Sequence, residues 1–461
     1  MSFDPILAEI RFGCGLSPRH APPRGAPEML ARLTGPDEAA ARFPIEGFPE
    51  FRQRMVAAEA ARRTRRQNRG TDLAEQARKE RNRINQAARK AAARWLGMHL
   101  LRRAHARDGL RERLAAFWAD HFTTRGKAGV IRRGTAPFVE SAIRPHLSGR
   151  FADLLFAAVT HPMMLHYLDQ ANSMGPNSEK AGRMARPGGL NENLAREVLE
   201  LHTLGADSPY AQADVRELAE LFTGLTWQAE IGAKFRKDHA EPGAETVLGR
   251  SYGGDTPSMA DIRAVLEDLA AHPATARHIA RKLAVHFVSD TPSEALVGAM
   301  QAAYAESGGM LVRVYAAMLD HPDAWERRAP NVRQPVDFIG AALRALEVPP
   351  DAILALEERE TQARLMHPLA LMGQPWQQPD GPDGWPEADG DWITPQGVAA
   401  RLQWAMAVPA VLRPDLPDPR GFVEVALGPG APEAVHRAAR AAENRWEGVG
   451  VVLASPAFQR M

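Results

Sequence analysis

The chain has 461 residues, 45% of them hydrophobic and 25% charged, with a formal net charge of +1. Those values suit a soluble globular protein with a sizeable core, and the balanced total says nothing about partners. One cysteine, Cys14, excludes an intrachain disulfide framework and a cysteine-rich zinc or iron–sulfur site.

The opening residues Met1–Arg11 hold no basic stretch followed by an apolar run, so no secretory signal is expected. No run of 18 apolar residues exists to span a membrane. The cytoplasm is the default address, and heavy Ala, Arg and Pro usage fits a bacterial source.

Residues 1–50 are punctuated by Pro and Gly, with helical pieces expected near 26–34 and 36–43. Residues 50–117 read as long helix broken near Gly70, because Ala, Arg, Glu and Gln dominate. Between Phe51 and Leu110 stand 17 Lys/Arg against 5 Asp/Glu. This arm (51–110) therefore carries +12 and the remainder −11, an asymmetry that the total hides. Its arginines lie on all helical faces with few aromatics between them. A solvated helix pair, or one docked on the acidic remainder, is favoured over a nucleic-acid or anionic-lipid surface.

Leu114, Phe117, Trp118 and Phe122 repeat at helical spacing. A helix is expected at 151–159, then a Gly/Pro/Asn/Ser-rich loop at 173–189. The run from Asn191 to His202 follows as a polar helix that should stop at Gly205. The next helix opens near Asp214 and reaches Phe222. Residues 225–250 predict a small β-hairpin excursion, with strands at Thr226–Gln228 and Thr246–Leu248.

Helices resume at 259–271, 274–287, 293–306, 309–320, 335–346 and 351–357, several just after His-Pro or Thr-Pro. The stretch 373–395 is rich in Trp, Pro and Gly and reads as an ordered loop on the helical body. Helices at 396–406 and 431–444 follow. The fold class is all-α: one large multi-helix domain over 1–461 with that one excursion.

Several motifs occur in order. They include Phe117–Phe122, Tyr167-Leu168-Asp169, the 191–205 run, Tyr210–Val215, His239–Gly243, Lys282-Leu283 with His286-Phe287, Asp383-Gly384-Trp385-Pro386 and Ser455–Arg460. Together they resemble the bacterial family known as domain of unknown function 1800, over nearly the whole chain. The resemblance implies one long helical unit but no particular activity. Members are often encoded beside a second family resembling phosphatases and sulfatases, which implies such a protein as partner. Many look exported, and this chain departs from them in having no recognisable signal.

The 191–202 helix is the densest polar stretch. Glu192, Arg196 and Glu200 share a face at i, i+4 spacing and can pair. Asn191 and Asn193 are poor interior residues but good caps. Glu197 and Glu200 are candidate general bases. His202 or His121 would carry the proton, and the helix dipole at the C-terminus would favour charged His202. Asp169 is a further candidate carboxylate. Asn191, Glu192, Asn193, Arg196, Tyr210, Gln212, Asp214, His239 and Lys282 would bind substrate, with Arg196 and Lys282 holding an anion.

The 191–202 helix holds no Glu-x-x-His pair and the chain no His-Glu-x-x-His, so any metal is unknown and would need distant residues such as His121, Asp169 and His239. Phosphate-binding glycine loops are also absent. Two functions stay open. One is an enzyme, or enzyme component, with a pocket built on the 191–202 helix. The other is a non-catalytic assembly or accessory protein in which the same residues form a structural network.

Overall fold

The structure, a computed structural model, describes residues 3–184, 188–327 and 330–461. Residues 185–187 of the expected 173–189 loop lie outside the described residues. The chain is built almost wholly of helices, as its periodicity predicts, with two small antiparallel sheets. Among the described residues no helix is long and apolar enough to cross a membrane.

The arm is a helical hairpin of Phe48–Gln67 and Asp72–His105. Gly70 turns it with φ +82, a conformation that glycine adopts without a Cβ penalty. Ala61, Ala74, Ala77 and Ala88 are buried along it, and small side chains let the helices approach closely. Arg63 pairs with Glu230 and Arg89 with Glu358, so acidic residues elsewhere in the chain meet the arm.

The expected helix through 117 is interrupted at 106–108. Asp108 caps a new helix, Gly109–His121, by accepting from the Arg111 N–H at 3.1 Å. The Asp-Gly pair is a helix-start signal. A Cβ on Gly109 would lie 2.8 Å from the Cys14 nitrogen, so two chain segments cross there.

The excursion is two hairpins rather than one. Leu225–Gln228 pairs with Gly232–Phe235, and Gly243–Val247 with Arg250–Gly254. Leu248, expected in a strand, is instead a turn residue at φ +51, followed by Gly249 at +76. The Leu248 N–H donates to Asp214 Oδ1 at 2.8 Å, which offsets part of the strain.

Three His-Pro pairs open helices by one device. The Nδ1 atoms of His161, His272 and His321 accept from the N–H two residues on, at 3.1, 3.1 and 3.3 Å. Each imidazole does the work of an N-cap oxygen, and proline supplies the first helical residue.

Helices that escape the sequence pattern include Pro409–Leu412, Pro419–Leu427 and Arg445–Ala454. The last contains Gly448 and Gly450 and three valines, all weak helix formers. A Cβ on Gly448 would overlap Pro419, and one on Gly450 would overlap Met406. Close packing overrides propensity there.

Two apolar clusters form the core. One gathers Phe12, Trp118, Phe122, Phe151 and Tyr315; the other gathers Phe338, Leu343, Trp404 and Val449. The long Asp72–His105 helix joins them, giving Trp95 to the first and Leu96, Leu100 and Leu101 to the second. His99, Arg102 and Arg103 of the same helix face a polar seam between the clusters.

Candidate functional site

The Asn191–His202 run is a short α-helix, Asn193–Glu197, that widens into a π turn, Val198–His202. Asn191 holds its start. Its Oδ1 accepts from the Asn193 N–H at 2.9 Å and its Nδ2 donates to the Leu168 carbonyl at 2.8 Å. Both oxygens of Asp214 accept backbone N–H groups, from Ala211 and Leu248.

On the outer face Arg196 stands 3.3 Å from Glu192 and 3.4 Å from Glu200. Gln212 closes the chain by donating to Glu192 at 2.8 Å and accepting from Arg196 at 2.9 Å. Partly exposed pairs of this kind contribute only ~0.3–0.5 kcal/mol each. Burial, then Glu200, push the Tyr210 phenol up to about 12. Glu197 is different: burial, then the charges of Glu200 and Asp383, push its carboxyl up to about 7.

The π turn directs His202 inward. His121 Nε2 lies 3.2 Å from the His202 carbonyl oxygen, and His278 Nε2 lies 3.1 Å from that of Leu201. Ring centroids of His121 are 5.9 Å from His202 and 6.3 Å from His278. Burial and then Lys282 push His202 down to about 3 and His278 to about 4, and hold His121 well below its usual range. The expectation that the helix dipole keeps His202 charged is overturned, because desolvation outweighs it.

Asp169 sits apart in left-handed backbone, φ +57, paired with Lys127 at 2.5 Å. His239 lies 3.9 Å from Asp238. His121, Asp169 and His239 do not converge on a common metal position. Among the described residues the one group of three ligand atoms close enough to share an ion is Glu217, Glu220 and Glu245.

The cavity lies elsewhere, in the polar seam between the two cores. It has a volume of about 110 Å³ and is walled by Arg103, Asp120, Thr124, His286, Asp337 and Trp385. No residue of the 191–202 run lines it.

Asp120 comes from the last turn of the Gly109–His121 helix. The Trp385 N–H donates to both of its oxygens, at 3.0 and 3.1 Å. Burial, then Glu387, push Asp120 up to about 8; the Trp385 N–H and Lys282 oppose, and Asp383 adds to the rise. Asp383 thus acts on both raised carboxyls, Asp120 and Glu197.

His286 Nδ1 lies 3.0 Å from each oxygen of Glu387, and Arg113 Nη2 lies 3.3 Å from its Nε2. That network assigns the proton to Nδ1, which donates to Glu387, while Nε2 accepts. Asp337 stands 3.0 Å from Arg103 and 3.5 Å from Arg113. Burial alone would raise Asp337, but these arginines hold it below the usual carboxylate range.

Sequence reasoning weighed Asp120 only beside His121, and it passed over Arg103, Thr124, Glu387 and Asp337. The available signals were the Asp383–Pro386 and His286-Phe287 motifs, which carried the resemblance without a role.

Fold and geometry together describe a mostly helical protein with a small cavity walled by Asp120 and His286. The chain belongs to the family described as Protein of unknown function (DUF1800), whose pattern matches residues 10–460. No curated protein and no solved structure matches it.

Proposed function

We propose that the chain is an enzyme, or an enzyme component, in which Asp120 serves as general acid and base in the cavity. One observation carries this. Asp120 presses its carboxyl against the Gly384-Trp385 backbone at the cavity wall, and among the described residues no cation pairs with it. A carboxyl so placed, raised to about 8, holds its proton at neutral pH and can still release it. His286, held between Glu387 and Arg113, stands on the same wall. Glu197, raised by the same acidic loop, extends the acid–base set toward the 191–202 helix.

The test follows the carboxyl carbon of Asp120 by NMR during a pH titration, assigned with Asp120→Asn, alongside a turnover screen on esters, phosphate esters and glycosides. Asp120 is expected to titrate near 8. Turnover should fall by about 10²-fold or more in Asp120→Asn. Titration in the ordinary aspartate range would refute the proposal.

A second reading is an accessory protein for a phosphatase- or sulfatase-like partner. The closed chain of Glu192, Arg196, Glu200 and Gln212 favours it, since those groups are satisfied by one another. Co-purification with the neighbouring protein and an unchanged pair after Arg196→Ala would separate scaffold from site.

A further inference from the structure

The cavity wall holds hydrogen-bond donors that the protein leaves unused. Arg103 is 1% exposed and donates from Nη1 to the Glu112 carbonyl oxygen at 3.2 Å. Its Nε and Nη2 have no hydrogen-bond partner among the described residues, although Nη2 stands 3.0 Å from Asp337. The Thr124 hydroxyl, also 1% exposed, has none either. Buried donors left unmade are costly, so two on one small cavity need an explanation.

Charge points the same way. Arg103, Arg113, Arg333 and Arg401 are buried together, and Asp337 is the carboxylate within 4 Å of the first two. Arg333 and Arg401 bond only uncharged acceptors: the carbonyl oxygens of Phe458 and Arg333 and the Gln459 amide. Of these, Arg103 and Asp337 line the cavity. The wall also carries the charged residues Arg102, Glu140 and Arg144, and its apolar and aromatic part includes Val336, Leu369, Trp376 and Trp385.

We propose that this cavity binds a small organic anion, whose carboxylate or phosphate oxygens take the free donors of Arg103 and Thr124 and whose compact body packs on Trp376 and Trp385. The unpartnered Nε–H of Arg103 and the Thr124 hydroxyl are donors that an oxyanion can accept, and Arg103 shares one carboxylate, Asp337, with Arg113. The proposal rests on reading this cavity as the site of chemistry. The Asp120 proton then becomes a further donor to the bound anion.

Calorimetry and thermal shift on the whole protein test it, with benzoate and inorganic phosphate as probes and benzamide as the uncharged counterpart. At least one anion should bind with one-to-one stoichiometry and benzamide should not. Thr124→Val, which keeps the side-chain size, should weaken binding about fivefold. Arg103→Lys, which keeps the charge and removes the fork, should weaken it about tenfold or more. Equal binding of benzamide, no saturable binding of either anion, or unchanged affinity in folded Thr124→Val would overturn the proposal. Titrating Asp120 in the same samples separates the two ideas. Absent anion binding with Asp120 still near 8 removes the ligand alone. Intact anion binding with an ordinary Asp120 removes the acid–base role alone.

Discussion

A Cβ placed on Gly384 would lie 2.6 Å from one oxygen of the Asp120 carboxylate and 2.7 Å from its carbon. Gly384 also has φ +86, so two independent reasons require glycine there. The aspartate and the glycine are 264 positions apart in the chain and form one close-packed wall.

Gly384→Ala should therefore cost more than backbone strain alone. Gly373 is a matched control, with φ +96 and nothing within 4 Å of its added Cβ. Gly373→Ala is expected to lose about 1 kcal/mol and Gly384→Ala about 2–4 kcal/mol, read by urea unfolding. Equal losses would show that the Asp120 contact exerts no pressure.

Asp120 gives a pH signature of definite sign. Its folded value is about 8 against an ordinary 3.8, so between those values the folded state holds more protons than the unfolded chain. Stability from this group is present at low pH and is lost as pH rises through that window. Asp120→Asn should match the wild type near about pH 3 and be more stable near about pH 9. Parallel profiles of melting temperature against pH would contradict the raised carboxyl.

The buried histidines act in the opposite direction. His202 and His278 lie at about 3 and 4 against an ordinary 6.5. The unfolded chain takes up these protons as pH falls below 6.5, while the folded state refuses them until the lower values. Their contribution is full above 6.5 and drains away toward pH 3. His202→Gln with His278→Gln should move the acid-unfolding midpoint down by about half a pH unit, followed by circular dichroism. An unmoved midpoint would mean that other groups set acid stability.

The His-Pro caps make a comparative prediction. His272 caps its helix through Nδ1, whereas His367 is exposed and caps nothing by its side chain. His272→Ala is expected to cost about 1 kcal/mol and His367→Ala close to none. Similar losses at both positions would refute capping by imidazole.

Much of the fold is legible because helices such as Met259–Ala271 and Pro273–Phe287 bury a single periodic stripe. Arg445–Ala454 is illegible for an equally physical reason: Gly448 is there for Pro419, and no local pattern records that neighbour. The cavity follows the same logic. Asp120 looks like one more polar residue among aromatics until Gly384 and Trp385 are folded onto it. The polar density at 191–202 is visible at once, yet most of that face is spent on its own ion pairs. The 225–250 excursion was legible as β structure, but Leu248 in left-handed backbone was not, because its support is Asp214 from another element.

The Asp72–His105 helix runs 34 residues with no proline and with one glycine, Gly97, whose space is closed by Ile353. At 1.5 Å per residue it is a rod of about 50 Å. One end is the basic tip beside Gly70, and the other carries His99, Arg102 and Arg103 into the cavity wall. Without a proline or an open glycine the element has no built-in hinge, so the arm's tip and Arg103 belong to one continuous rod.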